Sequence, residues 1–251
     1  MSMTYTEHMT DRQRANLAAL ALGLSRLPET YARFDMADYF ESCKLDESLL
    51  REAKQHPVAD AYMLLAKYAG HCGTTACACG HGPSMGIGMD LIESGLARNW
   101  EEYAFEAFGA KLLCGIDGAQ DRRSQEKAES DLSHILWSWC FSSSWGREQE
   151  DVYVDDGADF EQADNTPHGA ACRIVAALEG NIPDEYVEAC CTPSCRDNDY
   201  AAEELVVRDY ALNKSLPYDN DHTKVYDRLN ALGLAKKADA VLAHGQQEVS
   251  R

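Results

Sequence analysis

The chain has 251 residues, of which 45% are hydrophobic, and it carries a formal net charge of −19 at pH 7. Its length and composition fit a globular protein with a sizeable core. Its charge disfavours direct binding to nucleic acid or to anionic membranes, because both are polyanions. The N-terminus lacks the apolar core of a secretory signal, and no apolar run approaches the length of a membrane span, so we expect a cytoplasmic protein.

Helical periodicity predicts a mainly α fold, since the period-two alternation of half-buried strands is scarce. We expect one globular helical domain at residues 1–180, with a loop-rich Cys/Gly segment and an acidic loop, and a C-terminal helical extension at 181–251. In chain order, the predicted helices occupy residues 10–28, 45–57, 58–70, 99–109, 130–145, 164–180, 181–195 (a short helix and a cysteine-bearing turn), 196–217 and 225–245.

Capping residues mark the ends of several predicted helices. Thr10 or Asp11 can cap the first helix, and Asn165 or Thr166 can cap the helix at 164–180, because their side-chain oxygens accept hydrogen bonds from free backbone N–H groups. Gly180 follows that helix, as glycine often does at a helix C-terminus.

Residues 71–81 read HCGTTACACGH and combine three cysteines with two histidines. Ten cysteines in a reducing compartment would be mostly free thiols, so a cluster of them points to a metal or to catalysis. Zinc prefers thiolate and imidazole ligands, often with two of them closely spaced. Cys72 and Cys77 have such a spacing, and Cys79 and His81 could complete the set. Zinc is therefore the cofactor that this segment would hold.

Three other interpretations of this segment stay open. One is a four-thiolate site in which Cys191 and Cys195 join Cys72 and Cys77. Another is a reactive thiol at Cys72 or Cys77, near a helix start, with a histidine as its base. The third is a set of packed or capping thiols among small residues, which would pack closely as the start of a helix. Separately, Pro83 and the surrounding glycines predict a turn or loop.

Three tryptophans, Trp137, Trp139 and Trp145, fall within nine residues. Such a cluster could stack on the ring of a ligand, and Arg147 and Arg173 are the candidates to meet its phosphate. This combination predicts a binding module for a small molecule such as a nucleotide signal. The alternative is that Trp139 packs in the core and that Trp137 or Trp145 partly covers it.

The negative charge is concentrated in the second half of the chain. Residues 1–125 carry 17 acidic and 12 basic side chains, whereas residues 126–251 carry 25 and 11. Eight carboxylates fall within residues 148–164, which contain no Lys or Arg and whose order does not match an EF-hand. Such a run is usually a solvated loop, and its more specific interpretation is an acidic docking surface for a protein partner with a basic surface.

A series of short motifs links these features. They are FDM at 34–36, CGTxxC at 72–77, GH at 80–81, WxWxFS at 137–142, DNTP at 164–167 and AAxRI at 170–174. In this order they resemble a family of small proteins, without an assigned reaction, that is found in tailed-phage genomes and their bacterial hosts. The resemblance covers about residues 15–180. It implies a phage or prophage accessory role, directed at a host or defence component in the host cytoplasm.

The sequence therefore favours a non-enzymatic, acidic accessory protein that binds a protein partner. Two other classes of function remain open. One is a zinc- or cysteine-dependent hydrolase centred on residues 71–81, and the other is the small-molecule binding module.

Overall fold

The computed structural model describes residues 6–28, 41–42, 74–75, 77–111, 124–141, 145, 166–191 and 218–249. The predicted helices at 45–57, 58–70 and 196–217 lie outside these residues, as does the acidic run at 148–164.

The predicted mainly α fold is confirmed in the part of the chain that the structure describes. A two-residue antiparallel ladder pairs β1 (Glu41–Ser42) with β2 (Thr74–Thr75). A 3-10 helix, His222–Lys224, leads into the last two helices. The described α-helices are α1 (Asp11–Ser25), α2 (Ala78–Ser84), α3 (Met89–Glu93), α4 (Trp100–Phe108), α5 (Ser124–Phe141), α6 (Pro167–Glu179), α7 (Asp184–Cys191), α8 (Val225–Ala231) and α9 (Ala235–Val249).

Helix α1 lies at the centre of the packing. It contacts α4, α6, α8 and α9, and nearly every side chain from Ala15 to Leu24 is buried. A helix that is apolar on all sides is stable only when other elements surround it. Thr10 caps α1 in a reciprocal capping box with Gln13, which confirms one of the two predicted caps.

Helix α6 begins and ends where its sequence signals predict. The Thr166 hydroxyl accepts a hydrogen bond from the Gly169 N–H at 2.9 Å, and Pro167 occupies the first turn. The helix ends at Gly180, whose φ of 76° lies in the left-handed region that favours glycine. Because both ends are fixed locally, α6 holds Arg173 at a defined position in the core.

The prediction of a turn or loop around the Cys/Gly segment is wrong for residues 78–84, which form α2. Glycine in α2 allows α4 to pack closely against it. A Cβ at Gly82 would overlap the Tyr103 hydroxyl of α4 and lie 3.2 Å from the Phe108 ring. Tertiary packing therefore outweighs the low helix propensity of Gly80, Gly82 and Pro83.

The C-terminal helices share the main hydrophobic core. Helix α8 ends near Gly233, whose φ of 70° produces the predicted break before α9. Leu229 and Leu242 belong to one hydrophobic cluster with residues of α1, α4 and α6. The domain boundary at 180/181 stays a prediction, because residues 192–217 lie outside the described part.

Candidate functional site

Cys77 caps the N-terminus of α2. Its backbone is extended, and its Sγ accepts a hydrogen bond from the Gly80 N–H at 3.5 Å. The His81 N–H donates to the Cys77 carbonyl at 3.0 Å, so the two residues stand one helical turn apart. This geometry matches the capping thiol among the sequence interpretations and explains why a cysteine occupies this position.

Residues 77–81 of the Cys/His segment are all buried. Cys77, Cys79 and His81 each expose 2% of their surface or less. Burial raises the pKa of the Cys79 thiol well above its usual range, and the neighbouring Cys77 raises it further. A thiol with a raised pKa is a poor nucleophile at neutral pH, so Cys79 does not have the properties of a reactive cysteine.

The proposed zinc set lies only partly within the described residues. Cys77 and His81 lie four residues apart, at the start and in the middle of α2, whereas Cys72 and Cys195 lie outside the described part. Cys191 is the last residue of α7. Among the described residues, no group of three or more Cys, His, Asp or Glu side chains is arranged to hold a metal. The zinc site thus stays a prediction that depends on Cys72.

A second candidate site lies between α5, α6 and α7. We call it the aromatic cluster, and it consists of Trp139, Trp145, Arg173, Tyr186 and Tyr218. The Trp139 ring lies 5.6 Å from Trp145, 4.9 Å from Tyr186 and 5.5 Å from Tyr218, in edge-to-face contacts. The Arg173 guanidinium carbon lies 4.2 Å from the centroid of the Trp145 ring. Such cation–π contact strengthens when the cation is removed from water.

Hydrogen bonds fix the rings of the aromatic cluster in place. The Trp139 Nε1–H donates to the Arg173 carbonyl at 2.9 Å, and the Trp145 Nε1–H donates to the Ser138 carbonyl at 3.3 Å. The hydroxyls of Ser138 and Tyr186 are 2.5 Å apart. The polar groups of Trp139, Trp145 and Tyr186 are therefore paired, whereas the Tyr218 hydroxyl is buried without a hydrogen-bond partner among the described residues.

The structure brings three of the five predicted ligand-binding residues together. Trp139, Trp145 and Arg173 meet in the aromatic cluster, whereas Trp137 packs against Phe141 with ring centroids 5.9 Å apart. Arg147 lies outside the described residues. Trp139 packs in the core as the alternative interpretation predicted, and Trp137 and Trp145 are also buried rather than partly exposed covers. A ligand could reach Arg173 only if the residues around it moved.

Two tyrosines of the aromatic cluster were not predicted from the sequence. Tyr186 lies on the short helix α7, where a buried aromatic residue between acidic ones gives a weak periodic signal. Tyr218 follows a proline outside any periodic segment, so no sequence pattern marks it.

The thiol of Cys140 lies near Arg173. Burial raises the pKa of Cys140 to about 12, and the positive charge of Arg173 opposes that rise. Cys172 is also fully buried. These thiols therefore behave as small apolar side chains of the core.

Helix α4 presents an acidic outer face, which we call the α4 face. It consists of Glu101, Glu102, Phe105 and Glu106, and Phe105 is 39% exposed. The Lys111 ammonium lies 5.8 Å from the centroid of the partly exposed Phe105 ring. Arg98 binds Glu102 through both guanidinium and backbone hydrogen bonds, which lower the pKa of that carboxyl.

No helix in the described residues is both long and apolar enough to cross a membrane. Comparisons of the chain with known protein families, curated proteins and solved structures gave no significant match.

Proposed function

We propose that this protein is an acidic accessory protein of phage type that acts by binding a protein partner with a basic surface, and that the α4 face is part of its docking surface. The partner would be a host or defence component, as the resemblance to phage proteins implies. The observation that carries the proposal is the exposed Phe105 ring surrounded by carboxylates.

Each part of the α4 face suits a different step of association. An aromatic ring can enter a pocket of the partner and supply most of the binding energy. Among the described residues, Glu101 and Glu106 form no ion pair, so their charge is available to steer a basic partner. Glu102 is already paired with Arg98 and contributes less.

The proposal is tested by capturing a basic protein from host lysate, identifying it and measuring its association with the purified chain. Phe105→Ala should speed dissociation, because it removes the aromatic ring that would be buried in a pocket of the partner. Glu101→Gln combined with Glu106→Gln should slow association and reduce its dependence on salt.

Tyr226→Ala is the matched control for the aromatic substitution. Tyr226 is an aromatic residue of similar exposure, 41%, on α8. Its loss should leave binding unchanged. Equal effects of Phe105→Ala and Tyr226→Ala, or salt-independent binding, would contradict the assignment of the α4 face.

A zinc-dependent hydrolase is the second candidate, favoured by the position of Cys77 and His81 one helical turn apart. With Cys72 as a third ligand, zinc could keep an open position for an activated water. The test is elemental analysis of protein purified without tags or added metal. About one equivalent of zinc, lost in Cys72→Ser and Cys77→Ser, would support it. Folded protein free of zinc would contradict it.

A further inference from the structure

Side chains of α1 bind the backbone at the C-terminal end of α4. The last carbonyls of a helix have no partner within the helix, so donors from other elements can bind them. Gln13 Nε2 donates to the Phe105 carbonyl at 2.8 Å, and Asn16 Nδ2 donates to the Ala107 carbonyl at 3.1 Å. Asn16 is buried, so its hydrogen bond is shielded from water.

The segment before α1 adds a third donor at the same helix end. His8 Nε2 lies 3.0 Å from the Gly109 carbonyl, and it donates because a carbonyl oxygen only accepts. A Cβ at Gly109 would lie 2.9 Å from Met9 Cγ, so the absence of a side chain there lets the segment approach closely. We call the three donors, His8, Gln13 and Asn16, the α4 cap.

Gln13 joins the start of α1 to the end of α4 through the two ends of one amide group. Its Oε1 accepts from the Thr10 N–H at 2.9 Å and from the Thr10 hydroxyl at 3.0 Å, as part of the capping box of α1. Its Nε2 is thereby turned toward the Phe105 carbonyl. The backbone of the residue that carries the exposed ring is therefore bound directly by the α1 capping box.

Phe105 lies in the last turn of α4, where few hydrogen bonds hold the backbone. Its carbonyl also accepts from the Gly109 N–H at 2.8 Å, and the Ala110 N–H reaches the Ala104 carbonyl at 3.2 Å. Terminal turns open with free energies close to zero, far below that of global unfolding. One added hydrogen bond therefore shifts a large part of the population toward an intact last turn.

We propose that the α4 cap, with Gln13 at its centre, positions Phe105 for docking by keeping the last turn of α4 formed. This inference rests on the proposed function of the α4 face. A partner that meets an ordered ring does not have to order the turn on binding, and the affinity falls in proportion to the fraction of chains in which the turn is formed. His8, Gln13 and Asn16 are thus positioning residues, since they act through the backbone of α4.

Two substitutions separate the two hydrogen bonds of Gln13. Gln13→Glu keeps an acceptor for the Thr10 N–H, as glutamate does in other capping boxes, but it has no donor for the Phe105 carbonyl. Gln13→Lys keeps a donor for that carbonyl but has no acceptor for Thr10. The lysine also suits the negative end of the α4 dipole, whereas the glutamate opposes it.

The first measurement needs no partner and follows hydrogen exchange of the Gly109 and Ala110 amides by NMR. Gln13→Glu should raise the exchange of both amides by up to roughly fivefold, the change that one hydrogen bond of ordinary strength controls. Gln13→Lys should exchange at nearly the rate of the unmodified chain. Equal exchange in all three proteins would overturn the α4 cap, whatever the partner.

The second measurement is the affinity of each variant for the basic protein that lysate capture identifies. Charge alone predicts that Gln13→Glu binds this protein more tightly and that Gln13→Lys binds it less tightly. Positioning predicts the reverse order, with binding by Gln13→Glu weakened by up to roughly fivefold and binding by Gln13→Lys close to that of the unmodified chain. The order predicted by charge would overturn the proposal.

A merely structural role of Gln13 gives a different result. Gln13→Glu would then lower the midpoint of thermal unfolding without changing the affinity of the folded protein, and this outcome also overturns the proposal. Failure of the proposed function is recognised separately, because Phe105→Ala would leave binding unchanged while exchange at Gly109 still responded to Gln13→Glu. The α4 cap would then hold a helix end but position no docking residue.

Discussion

Gly86 and Gly245 bring the turn after α2 into backbone contact with α9. A Cβ at Gly86 would overlap the Cα of Gly245, and a Cβ at Gly245 would lie 2.7 Å from the Cα of Gly86. This contact joins the segment that contains the buried cysteines to the C-terminal helix. It leaves no room for a side chain at either position.

We expect Gly245→Ala to lower the free energy of unfolding by about 2 kcal/mol, the usual cost of an overpacked contact. The sign of the change in unfolding free energy is diagnostic, because alanine in place of glycine within an exposed helix would instead stabilise the protein by about 1 kcal/mol. Urea denaturation of both proteins measures the difference.

Gly233→Ala is the control for the effect of backbone conformation alone. Gly233 has a φ of 70° and no atom within 4 Å of an added Cβ, so only backbone strain should appear, at about 1 kcal/mol. A stabilising Gly245→Ala would show that α9 does not touch the α2 turn in solution.

The pKa shifts of the buried thiols predict a loss of stability at alkaline pH. In the folded protein the Cys140 thiol stays protonated up to about pH 12. In the unfolded chain the same thiol ionises at about pH 8.5. The folded state therefore binds more protons above that value, and stability falls as the pH rises, by up to about 1.4 kcal/mol per pH unit for each such thiol.

Cys140→Ala should reduce the loss of stability per pH unit in this alkaline range. Urea denaturation between about pH 8 and about pH 10, around the ordinary ionisation of a thiol, measures this change. Peptide-resolved alkylation gives an independent reading. Cys79 and Cys140 should react only on unfolding, because burial keeps both thiols protonated. Rapid alkylation of either in folded protein would contradict the described burial.

Local signals predicted most of the helices that the structure describes. The caps at Thr10 and Thr166 and the break at Gly233 each depend on residues within a few positions of the helix end. Such signals are readable from sequence because the chemistry that stops a helix is local.

Features that depend on distant parts of the chain were not predicted. Helix α2 forms although it contains Gly80, Gly82 and Pro83, because α4 packs against it where Gly82 has no side chain. The stack of His168 on His222 joins residues far apart in sequence, and neither histidine lies in a recognisable motif. One sequence without aligned relatives contains no signal for such contacts.

The buried cation in the aromatic cluster should matter for stability. Arg173→Ala removes a fully buried side chain that stacks on Trp145, and we expect a loss of about 3 kcal/mol from the cavity and the lost stacking. Arg98→Ala, at an exposed position before α4, should cost much less, because its ion pair with Glu102 is solvated. Equal costs in urea denaturation would show that Arg173 is not buried in the folded protein.

The ion pair Glu179–Arg228, which joins α6 to α8, should contribute more to stability than the ion pair Arg12–Asp90, which joins α1 to α3. Arg228 binds Glu179 through two guanidinium nitrogens, whereas Arg12 binds both carboxylate oxygens of Asp90 through Nη2 alone. The first pair exposes 13% and 20% of its side chains and the second 54% and 60%. The hydrogen bond to Glu179 raises the pKa of Arg228, which agrees with a pair that is partly shielded from water.

A double-mutant cycle isolates the coupling energy of each pair. Glu179→Gln with Arg228→Met should give a coupling of about 2 kcal/mol, because removal of one partner leaves the other charge partly buried. Arg12→Met with Asp90→Asn should give less than about 1 kcal/mol, and added salt should reduce it further. Equal couplings would mean that Arg228 is solvated and that its ion pair with Glu179 adds no more to stability than an exposed pair does.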